Sequence, residues 1–177
     1  MVTDERFPQM SALGSATPFV PRIREIIQSI ALFEDFEAGD LDRLAASMRC
    51  YRAPAGLAII NEGDPGDYMV LILSGAVEIV KRDAHGLPVQ IAVAGPGKTL
   101  GEMSLIDGEP RFASCVAVDD VEFAVLDRAA MTALIAEDPQ IGVKLMMEFL
   151  ILLNQRLRTI SGQLRECMES RRRALRR

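Results

Sequence analysis

The sequence predicts a mainly β protein, an antiparallel roll with helices before it and one long helix after it. Three observations point there. Between Tyr51 and Leu126 the chain breaks into short apolar or alternating runs, separated about every eight to twelve residues by Gly, Pro and Asp clusters. No helix-length segment lies between those runs, which excludes parallel βαβ units. Beyond Asp127 the apolar spacing changes from twos to threes and fours, the period of a helix.

Residues 1–21, with Pro8, Gly14, Ser15 and Pro18 and no periodicity, read as a flexible N-terminal arm. Ile23, Ile26, Ile27 and Ile30 then mark one face of a helix over 22–30. After a turn through Phe33 to Gly39, Asp40 is expected to cap a second short helix ending at Met48. Strands are expected over 57–60, 69–73, 76–80, 89–94, 114–118 and 121–126, with His85-Gly86 as a hairpin turn. A short helix follows over 126–136. Asp138 caps the last helix and Pro139 occupies its first position, where a missing N–H costs nothing.

In that last helix Met146, Leu150, Leu153, Leu157, Ile160, Leu164 and Cys167 alternate steps of four and three, a heptad seam, with Val143 preceding it. Leu145, Phe149 and Leu152 form a second stripe. Two stripes imply two contacts, one with the roll and one with a partner, so a parallel homodimer through residues 143–167 is expected. The division is a 1–21 arm, a 22–137 roll with its N-terminal helices, and a 138–177 dimerisation helix with a basic tail.

The chain of 177 residues has a formal charge of −5, unevenly spread. Arg156 to Arg177 carries a net +6, leaving −11 on the remainder, so the main body is a poor surface for nucleic acid. An arginine-rich helix end is favoured by the helix dipole and reads as a solvated face, with a non-specific polyanion contact as the alternative. Cys50, Cys115 and Cys167 are scattered and His85 is the sole histidine, which excludes the familiar zinc constellations. Free thiols and the lack of a signal-peptide pattern or membrane-length apolar stretch predict a cytoplasmic protein without a membrane anchor.

The chemistry concentrates in Gly101-Glu102-Met103-Ser104-Leu105-Ile106-Asp107-Gly108-Glu109-Pro110-Arg111-Phe112-Ala113-Ser114. Arg111 offers a guanidinium fork suited to phosphate oxygens, and backbone N–H groups at the start of a short turn add donors. Glu102 beside a phosphate makes sense if it accepts from a sugar hydroxyl. Phosphate and ribose in one pocket mean a nucleotide. The plainer alternative is a surface ion pair between Glu102 and Arg111, worth about 0–1 kcal/mol.

This run resembles the phosphate-binding cassette of cyclic nucleotide-binding domains, found in the catabolite-activator (Crp/Fnr) regulators and in regulatory subunits of cyclic-AMP-dependent kinase. Glu62-Gly63-Asp64-Pro65-Gly66-Asp67-Tyr68-Met69 and Ile72-Leu73-Ser74-Gly75-Ala76-Val77-Glu78-Ile79 resemble that family's glycine-punctuated roll, so the similarity spans roughly residues 25 to 160. The resemblance implies a jelly-roll (double-stranded β-helix) fold, with Glu102 on the ribose 2′-hydroxyl and Arg111 on the cyclic phosphate. Gly101 would permit close backbone approach, and Met103, Ser104, Phe112 and Ala113 would line the loop. Polar residues of the long helix reach the purine in catabolite activators, partly across the dimer. Thr159 and Ser161 fall near that place here, with Asn154 and Gln155 as alternatives.

Phe112 stands where the family has a small or hydroxyl residue, and its ring is expected to crowd or cover the pocket. Ala92-Val93-Ala94-Gly95-Pro96-Gly97-Lys98-Thr99 matches a relaxed P-loop, and Phe123 to Asp127 a Walker B strand. A P-loop needs a helix directly after it, so Gly95-Pro96-Gly97 is expected to be a turn with Lys98 in solvent. No nucleophile elbow or paired catalytic acid is evident, and no catalytic residue and no metal are expected. The reading is therefore a cyclic-nucleotide sensor, cyclic AMP ahead of cyclic GMP, signalling through its C-terminal helix to an effector protein. About ten residues follow Cys167, too few for a helix-turn-helix, so no DNA-reading domain is expected. The alternative is a roll that has lost its ligand and serves as a dimerising scaffold.

Overall fold

The computed structural model describes residues 6–30 and 36–174. Among the described residues nine strands form two antiparallel sheets facing one another, a jelly-roll with helices at both ends. In chain order they are β1 (Ser11–Ser15), β2 (Arg49–Ala53), β3 (Ala58–Ile60), β4 (Tyr68–Ser74) and β5 (Val77–Arg82). Then come β6 (Pro88–Ala94), β7 (Thr99–Leu100), β8 (Ser114–Ala117) and β9 (Val121–Asp127). The helices are α1 (Val20–Ile30), α2 (Ala38–Ala46), α3 (Glu102–Asp107), α4 (Arg128–Glu137) and α5 (Pro139–Ala174). One sheet has the order β1-β2-β9-β4-β7 and the other β3-β8-β5-β6.

β4 explains why its sequence is an unbroken apolar run rather than an alternating one. Val70 and Ile72 point between the sheets with Ile60, Val77 and Phe123, while Met69, Leu71 and Leu73 point the other way into a core closed by helices. A strand covered on both faces has no solvent side on which to place polar residues. The helix-side core takes Leu41 and Leu44 from α2, Leu134 from α4, and Ile141, Leu145 and Phe149 from α5. The base of α5 is thereby fixed to the roll.

Several expectations need correction. The segment expected to be a loose arm is built into the fold from Phe7 onward. β1 pairs with β2, and the Phe7 ring is buried against Tyr51, Tyr68 and Phe123 at centroid distances of 4.7, 5.1 and 5.9 Å. Residues 1–5 of that arm, residues 31–35, which include the first part of the turn expected over Phe33 to Gly39, and residues 175–177 of the tail lie outside the described residues. Asp40 does not cap α2. Glu37 is the N-cap, and its N–H donates to the Asp40 carboxylate at 3.0 Å, which puts Asp40 in the third helical position. Asp138 does cap α5, accepting from the N–H groups of Gln140 and Ile141 at 3.1 and 3.3 Å. Gly95-Pro96-Gly97 of the P-loop-like run forms a turn between β6 and β7, with Lys98 exposed.

Candidate ligand pocket on the roll

Gly101 opens the site. Its φ of +78° is the left-handed conformation that only glycine adopts without strain, and a Cβ there would lie 2.6 Å from Arg111 Nη1. The backbone reverses at Gly101 into α3, which turns Glu102 inward. Glu102 is 1% exposed, an extreme position for a carboxylate. Arg111, at the other end of the cassette, is 3% exposed, and its Nη1 donates to the Gly101 carbonyl at 2.9 Å.

The carboxylate has one partner from far along the chain. Arg156 of α5 donates from Nη1 to Glu102 Oε1 and from Nη2 to the Thr99 carbonyl at 2.5 Å. Burial nevertheless raises the Glu102 carboxyl above its ordinary pKa, against the pull of Arg156 and Arg111. Glu102 Oε2 and Arg111 Nη2 are buried with no hydrogen-bond partner. An unpaired acceptor and an unpaired donor at this depth each cost about 1–3 kcal/mol, so a group that satisfies both is strongly favoured there.

Both side chains line one cavity of about 80 Å³, with Ile60, Ile79, Leu100 and Cys115 as its apolar wall. Burial pushes the Cys115 thiol up to about 12, which keeps it protonated and uncharged. Gly101, Met103, Ser104, Phe112, Ala113 and Arg156 complete the lining. The cavity offers an acceptor, a cation and an apolar wall, the set that a sugar hydroxyl, an anion and a flat ring would engage. The described residues contain no cluster of three or more His, Cys, Asp or Glu able to hold a metal. No described helix is long and apolar enough to cross a membrane.

The family model for the cyclic nucleotide-binding domain matches residues 51–138, from β2 to the start of α5. The crystal structure of a cyclic nucleotide-binding domain from Methylobacillus flagellatus KT superposes with a TM-score of 0.81 at 42% identity, covering 88% of each chain. This chain belongs to the cyclic nucleotide-binding domain family. The CRP-like cAMP-activated global transcriptional regulator of Mycobacterium tuberculosis is 30% identical over 140 residues, 79% of this chain and 61% of that one. The cAMP-dependent protein kinase regulatory subunit of Aspergillus fumigatus is 36% identical over 102 residues, 58% of this chain and 24% of that one. The domain thus spans about three fifths or less of these curated relatives.

The cyclic nucleotide-binding domain brings together seven of the residues singled out from the sequence: Gly101, Glu102, Met103, Ser104, Arg111, Phe112 and Ala113. The supposed Glu102–Arg111 surface pair is not observed. Both groups are buried, and the partner of Glu102 is Arg156. Phe112 does not fill the cavity. It sits at the rim, 55% exposed, with Lys81 Nζ 4.4 Å from its ring centre and donating to its carbonyl at 2.6 Å. Lys81 also donates to Glu62 Oε1 at 2.7 Å, which holds that carboxyl below its usual range.

Thr159 and Ser161 are not among the lining residues of this pocket. Both are exposed, and the Thr159 hydroxyl donates to the Gln155 carbonyl at 3.0 Å within its own helix. The α5 residue that reaches the site is Arg156, which the sequence reading passed over. Its signal was present: Leu145 and Phe149 are buried in the helix-side core, and Arg156 follows Leu152 on the same stripe.

Proposed function

We propose that this chain is a sensor that captures a cyclic nucleotide, cyclic AMP ahead of cyclic GMP, and reports capture through α5. The observation that carries this reading is the pair of buried unpartnered atoms, Glu102 Oε2 and Arg111 Nη2, in one cavity. A ribose 2′-hydroxyl satisfies the first and a cyclic phosphate oxygen the second. Gly101 lets the backbone approach, while Met103, Ser104, Phe112 and Ala113 form the walls. No catalytic step and no metal belong to this function.

Ligand pockets commonly measure about 300–1,000 Å³, so a cavity of about 80 Å³ must widen to admit a nucleotide. Arg156 is the lining residue carried by α5, and it holds the carboxylate that the ribose needs. Capture therefore competes with, or rearranges, the link between the roll and α5. Coupling follows if the ligand binds the two arrangements with different affinity.

The exposed face of α5 supports a homodimer. Val143, Leu150, Leu157, Ile160 and Leu164 are 58–64% exposed, while Ile141, Leu145 and Phe149 are buried against the roll. A second copy packed in parallel over residues 143–167 covers that stripe. An effector protein, in the cytoplasm, would then read the paired helix ends.

Thermal denaturation with cyclic AMP and cyclic GMP tests the reading. A ligand at 100 times its Kd adds about 2.7 kcal/mol, a shift of several degrees. No shift with either nucleotide overturns the sensor and leaves the dimerising scaffold. Thr159 and Ser161, which follow the lining residue Arg156 on α5, would contact the purine in the widened pocket, partly across the dimer. Their replacement by alanine is expected to change the affinity ratio between the two nucleotides, measured by calorimetry. An unchanged ratio places base recognition elsewhere.

A further inference from the structure

Arg111 is gripped from several sides. Its N–H donates to the Asp64 carbonyl and its carbonyl accepts from the Gly63 N–H, both at 2.9 Å, which ties the turn at 61–67 to the end of the cassette. That turn sets Gly66 directly against the arginine side chain. A Cβ on Gly66 would lie 2.5 Å from Arg111 Nε, 2.6 Å from Cζ and 2.6 Å from Ser104 Cβ. The guanidinium carbon also lies 4.2 Å from the centre of the Tyr68 ring. Tyr68 is itself fixed, its hydroxyl donating to the Ile59 carbonyl at 3.0 Å and its ring meeting the Phe7 ring edge-on. With Nη1 on the Gly101 carbonyl, the remaining Nη2 is the buried unpartnered nitrogen.

We propose that Gly66 and Tyr68 are positioning residues that clamp Arg111 in its anion-receiving pose before ligand arrives. The proposal rests on the cyclic-nucleotide reading and extends it. Neither residue lines the cavity; Tyr68 acts through the guanidinium, and Gly66 through the guanidinium and the Ser104 side chain beside it. An arginine free in solvent loses rotamer freedom on binding, whereas one already packed between a ring and a bare Cα loses little. The stack also holds the planar group at an angle that a small displacement would spoil. Gly66 does not have a left-handed φ, so alanine there meets the packing conflict and no backbone strain.

Calorimetry on the full chain with cyclic AMP and cyclic GMP tests the clamp. Gly66→Ala and Tyr68→Leu are each expected to weaken the tighter nucleotide about tenfold at a temperature where their ligand-free melting curves show both variants folded. Tyr68→Phe keeps the ring and is expected to keep the affinity. In an Arg111→Lys background, which lacks the planar fork, both losses should shrink to about twofold or less. Equal losses in both backgrounds, or single variants that bind like wild type, overturn the clamp and leave the sensor standing. Should Gly66→Ala fail to fold, the Tyr68→Leu and Tyr68→Phe pair decides alone. Wild-type protein that binds neither nucleotide removes the sensor and the clamp together.

Discussion

Arg111→Ala is expected to leave the roll folded and to weaken cyclic-nucleotide binding by about 1.5–3 kcal/mol or more, roughly tenfold to over a hundredfold. The loss is large because Nη2 has no other partner and the site is shielded from water. Truncation also removes a cation that counteracts the raised pKa of Glu102, so the mutant pocket is both less cationic and less able to hold an ionised carboxylate. Calorimetry gives the affinity, and the ligand-free melting midpoint reports the fold. Equal affinity in mutant and wild type would take the cassette out of the binding site.

If the chain forms the proposed homodimer, Leu157→Asp is expected to give monomers without unfolding the roll. Leu157 is 62% exposed on its own chain, so the substitution disturbs little there. Across a parallel seam it would bury two unpaired carboxylates facing each other, which is strongly unfavourable. Leu153→Asp acts at the same seam, but Leu153 is already half-buried in the single chain, so Leu157 gives the cleaner result. Sedimentation at micromolar concentration measures the state. Cys167, the exposed member of the three free thiols, supplies a check on geometry. A parallel in-register pair brings the two copies of Cys167 together, so mild oxidation should link wild-type chains and fail to link Leu157→Asp. Variants that remain dimeric without the link would move the interface to another surface.

The cassette was legible because its working residues lie within a few positions of one another. Gly101, Glu102 and Arg111 keep their spacing whatever the rest of the chain does. The same holds for the β4 and β9 runs, whose apolar density reflects burial on both faces. β1 was hidden because Ser11-Ala12-Leu13-Gly14-Ser15 has little strand character of its own. Pairing with β2 and burial of Phe7 place it in the sheet. β2 was masked by Arg49 and Arg52, and Arg52 points outward to donate to Glu122 at 2.5 Å. Arg156 was missed for a different reason. It acts on a carboxylate 54 positions earlier, a juxtaposition set by packing of α5 that no local pattern records.

The length of α5 gives Arg156 leverage. From Arg156 to Ala174 the helix continues for about 27 Å at 1.5 Å per residue, and neither core includes any of residues 156–173. Anchored at its base by Ile141, Leu145 and Phe149, it would serve the proposed sensor as a rod with its pivot near the pocket mouth. A tilt of about 10° at that pivot would sweep its far end through about 5 Å, enough to separate or align a cluster of arginines on the last turn. A small adjustment around one carboxylate would thus be magnified into a displacement that a second protein can feel.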